Sequence, residues 1–199
     1  MNPRALSHGT DYEGQDPLHW LCSEKLRGVR AYWDGSTLWT RGGFIVNVPG
    51  WFTAGLPKFH LDGEVYAGRC EVETVARLAV QNGRWIEGVH TFQVFDAPQF
   101  SGTWPARMTT AAALVKDAPH ASAIEFAVIR DRREVFAKLQ EVQSGGGEGL
   151  MLRSPFETSY TPGRTTNLLK VKLSHPAFFT LKFPRTPRRI ATRRALHTY

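Results

Sequence analysis

Short β-like runs separated by turn signals dominate residues 1–172, and they restrict the fold to one built mainly from short strands. Asp34–Gly35 lies between two of these runs and predicts a tight hairpin turn. Eight runs are predicted as strands, at 18–23, 29–33, 37–40, 60–66, 91–95, 123–128, 149–153 and 168–172.

Helical periodicity is confined to three segments. Apolar residues repeat at helical spacing within 72–79 and within 135–142, and the second helix is predicted to end at Gly145. A weaker pattern spans 106–115. Because the strands outnumber the helices and do not alternate with them, the sequence predicts an α+β fold with antiparallel sheets.

The chain is basic, with 25 Lys and Arg against 18 Asp and Glu and a formal charge of +7. A basic protein favours anionic partners. Most of the excess lies in residues 173–199, which contain no acidic residue and are interrupted by prolines. This basic tail is an electrostatic arm for nucleic-acid phosphates, a solvated extension or a remnant of a longer protein, and the sequence leaves all three open.

Several classes of protein and site are excluded by simple patterns. No apolar run approaches the ~18 residues of a membrane span, and the first residues lack the core of a secretory signal, so we expect a cytoplasmic protein without a membrane partner. Cys22 and Cys70 are too few and too far apart to predict a zinc site or a disulfide framework. The glycine-rich stretch 144–149 follows a helix and precedes a strand, which is the reverse of a phosphate loop, and predicts a helix C-cap and turn.

Polar side chains stand at the ends or on one face of several predicted strands. Singly, each is more typical of a surface turn or a solvated strand face. Their order along the chain makes them informative: Lys25 within EKLRGVR, then LDGE at 61–64, VFD at 94–96, EGLMLR at 148–153 and LLKVK at 168–172. Because strand side chains alternate, Lys170 and Lys172 are expected on one face.

This ordered set resembles the motifs of the covalent nucleotidyltransferases, and most closely those of the small ATP-dependent DNA ligases of bacteria and phages. The first family motif, Lys-x-Asp-Gly-x-Arg, is matched by Lys25, Gly28 and Arg30. The resemblance covers about residues 18–172. The later motifs are matched by Arg41–Gly42, Asp62–Gly63–Glu64, Phe95–Asp96, Glu148–Gly149, and Lys170 with Lys172.

The resemblance implies an ATP-grasp-like nucleotidyltransferase domain, with antiparallel sheets flanked by helices around an AMP cleft. It places an N-terminal extension at 1–17, the adenylyltransferase domain at 18–172 and the basic tail at 173–199. It also implies an enzyme in which the Lys25 amine attacks the α-phosphate of ATP and becomes adenylylated. AMP then passes to a 5′-phosphate at a nick in duplex DNA, and the 3′-hydroxyl displaces it.

Residue roles carried over from the family follow the motifs. Arg30, Lys170 and Lys172 are implied to stabilise charge on the phosphate oxygens. The implied nucleotide contacts are Glu24, Glu64 at the ribose, Phe95 at the adenine, and Arg41, which touches either AMP or the nick phosphate. Glu148 is implied to support Mg²⁺ through water. The family also implies a monomer that acts in DNA repair, replication or recombination.

Two features depart from the family pattern. Arg27 replaces the Asp of the first motif. At ~6 Å and an effective dielectric near 20, a unit charge is worth on the order of 2 to 3 kcal/mol, so the exchange reverses a substantial local field and also places a bulky cation at the site. It lowers the barrier to deprotonating Lys25 but removes an organising carboxylate, and we expect impaired activity.

The second departure concerns the oligonucleotide-binding barrel that follows the fifth motif in relatives. The residues after 172 are too few for a five-stranded barrel, so no complete barrel is expected unless a separate protein supplies it. The step with ATP is then expected to suffer most. Two alternatives remain open, an RNA ligase or capping-type relative, and a truncated relic that only binds nucleic acid.

Overall fold

The computed structural model of the chain describes residues 3–69 and 72–172. The predicted basic tail, 173–199, therefore lies outside the described residues. After a short 3-10 turn at Pro3–Ala5, the strands are β1 (His8–Asp11), β2 (Leu21–Lys25), β3 (Val29–Trp33), β4 (Leu38–Thr40), β5 (Leu61–Tyr66), β6 (Thr91–Asp96), β7 (Ala121–Ala123), β8 (Ala127–Val128), β9 (Gly149–Arg153) and β10 (Arg164–Val171). The helices are α1 (Gly50–Thr53), α2 (Val72–Asn82), α3 (Trp104–Val115) and α4 (Arg132–Ser144).

The strands form two five-stranded sheets. The first sheet has the order β1-β10-β9-β2-β8, and the second has the order β4-β3-β5-β6-β7. Most neighbouring strands are antiparallel, as the sequence predicts, but β1 pairs with β10 and β6 pairs with β7 in parallel. The α+β fold class is therefore confirmed, with one parallel pair in each sheet.

Each sheet packs against helices through an apolar core of its own. In the first sheet, Leu150 and Leu152 of β9 pack with Val135 and Leu139 of α4. In the second sheet, side chains of β6 pack with α1, α2 and α3 through a cluster that includes Phe52, Ala76, Phe92, Val94 and Ala111. This packing leaves a cleft between the two sheets.

The predicted strand at 123–128 is two strands in different sheets. Ala121–Ala123 pairs with β6 in the second sheet, whereas Ala127–Val128 pairs with β2 in the first. The chain crosses from one sheet to the other between them. Periodicity alone cannot reveal this crossing, because both halves carry the same kind of short apolar pattern.

The N-terminal residues take part in the first sheet. Residues 8–11, which the sequence assigns to an N-terminal extension, form β1, and His8 is in register with Arg164 of β10. Leu6 and Tyr12 on either side are almost completely buried. This segment is therefore packed with the strands that follow. Within the described ranges, no helix is both long and apolar enough to cross a membrane.

Candidate active site

A cavity of about 330 Å³ lies between the two sheets. This volume is within the range of small-molecule sites. Its walls come from the ends of β1, β2, β9 and β10 on one side and from β3, β5 and β6 on the other. The lining residues include His8, Ser23, Glu24, Lys25, Leu26, Arg30, Arg41, Glu64, Phe95, Trp104, Ile124, Met151, Arg153, Arg164, Leu168 and Lys170.

Lys25 is the last residue of β2 and is paired in register with Gly149 of β9. This register places its amine beside Glu148, with Lys25 Nζ 2.6 Å from Glu148 Oε2. The other carboxylate oxygen, Oε1, is 2.6 Å from Nζ of Lys172. Burial would raise the pKa of Glu148, but hydrogen bonds from Lys172 and Lys25 outweigh it and hold the pKa below its usual value. One carboxylate therefore bridges two of the predicted catalytic lysines.

The glycine-rich stretch before Glu148 is the helix end and turn that the sequence predicts. Helix α4 ends at Ser144, and Gly145 caps it through its backbone N–H. Gly149 allows β9 to approach β10 closely, since a Cβ at this position would clash with the carbonyl oxygen of Val171. The close approach of β9 to β10 at this point is what brings Glu148 to the lysines.

Arg30 is anchored within the cleft rather than free. Its Nε and Nη2 donate to the two carboxylate oxygens of Asp62 at 2.7 and 2.6 Å, and Nη2 also donates to the Ser7 carbonyl at 2.8 Å. Asp62 is fully buried and accepts a further hydrogen bond, 2.6 Å long, from the Tyr160 hydroxyl. Burial lowers the pKa of Arg30, but the charge of Asp62 and its hydrogen bond raise it by more. The guanidinium carbon lies 4.6 Å from the centroid of the Phe95 ring.

Glu64 is the carboxylate on the wall of the second sheet. Its Oε1 accepts a hydrogen bond of 3.1 Å from the Gly28 backbone N–H. Burial raises the pKa of Glu64 to about 7, although the nearby cations Arg30 and Lys25 oppose the rise. A Cβ at Gly28 would clash with the Val65 carbonyl, so the glycine accommodates β5.

The remaining predicted residues lie at the edges of the cavity. Glu24 lines it, but its carboxylate is paired with Arg69 at 2.6 Å. Lys170 also lines it and is paired with Asp11 at 3.0 Å. Arg41 is exposed at the rim. The structure therefore brings the predicted set to the lining of the cavity except for Glu148 and Lys172, and Glu148 joins Lys172 to Lys25, which does line it.

Arg27 does not crowd the site. Its side chain is exposed and is not among the residues that line the cavity. The expectation of a bulky cation inserted into the site is therefore wrong. In the part of the chain that the structure describes, no ion pair of Arg27 is found.

Several residues at the cavity carry no role in the sequence-based prediction. Arg164 is exposed at its rim, whereas Arg153 is almost completely buried. Arg153 belongs to a buried charge network in which Asp96 and Glu157 bind Arg153 and Arg107. Arg107 is fully buried on α3. An arginine within the apolar segment WPARMTTAAALV is the one sequence signal that could have identified this network.

The lining of the cavity fits a nucleotide. Lys25, Lys170 and Arg41 supply cations for phosphates, and Phe95 with Met151 supplies aromatic and apolar surface for a base. The cavity therefore combines the two kinds of surface that ATP requires.

Mg²⁺ has a more limited set of candidate ligands. Among the described residues, no group of three His, Cys, Asp or Glu side chains is arranged to hold a metal ion. Mg²⁺ normally keeps several waters and takes one or two carboxylates together with substrate phosphates. Glu148 fits this manner of binding, provided that one of its carboxylate oxygens gives up its lysine and takes the hydrated metal ion instead.

Comparisons with known proteins agree with this geometry. No protein-family model matches the chain. A curated DNA ligase of Haemophilus influenzae is 31% identical over 164 residues, which cover 81% of this chain and 60% of that protein. The chain therefore spans 60% of the length of this relative.

Solved structures show the same relationship. A Lig E DNA ligase superposes with a TM-score of 0.74 at 30% identity, over 84% of this chain and 68% of that one. A Chlorella virus DNA ligase-adenylate has a TM-score of 0.72 at 20% identity, over 84% of this chain and 68% of that one, and supports the fold alone. With the identity and coverage of the Lig E structure and the ordered motifs around the cavity, the chain belongs to the family of ATP-dependent DNA ligases.

Proposed function

We propose that this chain reacts with ATP to form lysyl-AMP on Lys25 and transfers the AMP to the 5′-phosphate of a nick in duplex DNA. The observation that carries the proposal is the position of the Lys25 amine, which reaches the cavity between the sheets and is held by a carboxylate shared with Lys172. This arrangement supports an amine nucleophile that a charged partner positions at the cavity.

In the first step, the Lys25 ammonium loses a proton and its nitrogen attacks the α-phosphorus of ATP. The proton is released to solvent, and Glu148 Oε2, which lies 2.6 Å from Lys25 Nζ, positions the amine at the cavity. A nitrogen–phosphorus bond forms, the bond to the bridging oxygen breaks, and pyrophosphate leaves. The charges of Lys170 and Lys172 stabilise the negative charge that develops on the phosphate oxygens.

Other side chains hold the nucleotide. Glu64 accepts hydrogen bonds from the ribose hydroxyls, and Phe95 offers its ring to the adenine. Arg30 is oriented by its paired contact with Asp62, and Arg41 at the rim contacts phosphate. When bound, Mg²⁺ offsets charge on the phosphates, and Glu148 is the residue that would hold it.

In the later steps, the 5′-phosphate at the nick attacks the phosphorus of lysyl-AMP and releases the lysine. The 3′-hydroxyl then attacks the adenylylated 5′-phosphate, a phosphodiester bond forms, and AMP leaves. The proposal thus includes a monomer that acts on nicked duplex DNA in repair, replication or recombination. It also includes reduced activity in the ATP step, because Arg27 replaces the Asp of the family motif.

The proposal is tested by mass spectrometry. The protein is incubated with ATP and Mg²⁺, its intact mass is measured under denaturing conditions, and the modified peptide is mapped. We expect one adenylyl group on Lys25, none in Lys25→Arg, and a normal yield in the control Lys116→Arg, whose side chain is exposed on the surface.

Two further measurements complete this test. Sealing is assayed on a nick that already carries 5′-AMP, which bypasses the ATP step, and on matched DNA and RNA nicks. The absence of an adduct together with no sealing of the adenylylated nick would reject the ligase activity. Preference for RNA nicks would reject the proposed substrate while leaving the lysine chemistry intact.

A further inference from the structure

Two large apolar side chains are exposed next to each other at the edge of the second sheet. Phe44 is 69% exposed and Ile45 is 66% exposed. They follow the turn Arg41–Gly43 that ends β4. Single exposed apolar residues are common, but an adjacent pair of this size beside a cavity is a candidate contact surface.

Hydrogen bonds order the turn that precedes the exposed pair. Thr40 N–H donates to the Phe44 carbonyl at 2.8 Å, and Phe44 N–H donates to Thr40 Oγ1 at 3.2 Å. A Cβ at Gly42 would lie 3.1 Å from the Phe44 ring, so the ring rests on the glycine. Ile45 is bridged to Trp39 through the backbone. The pair is therefore presented on an ordered turn.

The same turn carries a cation of the cavity rim. Arg41 is exposed and lines the cavity, and Arg164 is exposed at another part of the same lining. No carboxylate of the described ranges forms an ion pair with either arginine. The surface thus places apolar side chains next to unpaired positive charge, which complements a partner with anionic strands and an apolar interior.

We propose that Phe44 and Ile45 contact the duplex at the nick itself, inserting against the base step where one strand is broken. This inference rests on the proposed function and names the surface that recognises its substrate. Apolar wedges such as Phe and Ile unstack base steps at an energetic cost, and the cost is smaller where the backbone is already interrupted. Arg41 on the same turn pairs with a phosphate. The turn therefore recognises the break in the strand and does not depend on the base sequence.

The test compares binding to nicked and intact duplexes of the same sequence by fluorescence anisotropy. The variant is Phe44→Ser with Ile45→Thr, and the matched control is Ile86→Ser with Phe156→Ser, which removes apolar side chains that are 53% and 83% exposed away from the cavity. All four side chains are exposed, so neither variant opens the core. Thermal unfolding of both variants is measured to check that each remains folded.

We expect the Phe44 and Ile45 variant to bind the nicked duplex about tenfold more weakly, which is within the range for loss of one stacking contact with a base. Binding of the intact duplex and binding by the control variant change little. An equal loss on both duplexes, no loss, or a similar loss in the control overturns the inference. So does a wild-type dimer, measured by light scattering, that the variant dissociates.

Lysyl-AMP formation by the wild type separates this inference from the proposed function. If lysyl-AMP forms but the variant still prefers nicked DNA, the contact surface is wrong and the proposed chemistry stands. If no lysyl-AMP forms but the variant loses its preference for the nick, the chemistry is wrong and the contact surface stands.

Discussion

Glu64 should make the stability of the protein depend on pH in a direction opposite to that of most carboxylates. It is half-buried against Gly28 in the wall of the cavity, and desolvation raises its pKa from 4.5 to about 7. In the unfolded chain the same group has its ordinary pKa. Between these two values the folded protein binds a proton that the unfolded chain has released.

The sign and size of the effect follow from this difference. Below pH 4.5 the carboxyl is protonated in both states, and above pH 7 it is ionised in both, with the buried charge penalising the folded state. The free energy of unfolding therefore falls as the pH rises through this window. Because one unit of pKa is worth about 1.4 kcal/mol, Glu64 lowers the stability by about 2 to 3 kcal/mol between pH 5 and pH 8.

The measurement is urea unfolding of the wild type and of Glu64→Gln at several values between pH 5 and pH 8. Glutamine keeps the shape and can still accept a hydrogen bond from Gly28, but it does not titrate. The difference in unfolding free energy between the two proteins removes the contributions of other titrating groups. It should move by about 2 to 3 kcal/mol in favour of the variant as the pH rises.

A flat difference across this range would refute the reasoning, because it would mean that burial does not separate the two pKa values. A difference that moves in favour of the wild type would refute it more strongly. That result would mean that Arg30 and Lys25 dominate over burial and hold the pKa of Glu64 below its usual value.

Two further predictions concern arginines. Arg107→Met leaves the buried Asp96 and Glu157 without a main partner and should lower the free energy of unfolding by about 3 to 5 kcal/mol, measured by urea unfolding. Arg130→Met removes an exposed pair and should leave the free energy of unfolding almost unchanged. A comparable effect of both variants would contradict the role of burial. Arg27→Asp should raise the rate of lysyl-AMP formation, but by no more than about fivefold because the side chain is exposed. A decrease in the rate would show that Arg27 assists the reaction.

Much of the fold could be predicted from periodicity where a strand has an apolar face. The predicted strands at 29–33 and 149–153 coincide with β3 and β9, and the helix ending at Gly145 is confirmed. The sequence HGTD of β1 has no such pattern. Its pairing depends on β10, which is distant in sequence, and local propensity cannot detect a partner of that kind.

The candidate site is likewise predictable from the sequence in part. The positions of Lys25 and Glu148 at strand ends follow from their motifs, and the antiparallel register of β2 and β9 brings the two residues together. The direction of a side chain in a connecting segment does not follow, and Arg27 points to solvent for this reason. Asp96 is recognisable as a motif residue, but its partner Arg107 lies on a helix with a weak pattern.

The place of β10 in the first sheet has a consequence for synthesis of the chain. β10 lies between β1 and β9, and it is the strand with which β1 pairs. Because His8 is in register with Arg164, β1 has left the ribosome long before its partner exists. At typical translation speeds this interval is roughly 10 to 30 s. During that time the chain carries an unpaired N-terminal strand, and the wall of the cavity that His8 contributes closes only when β10 is inserted.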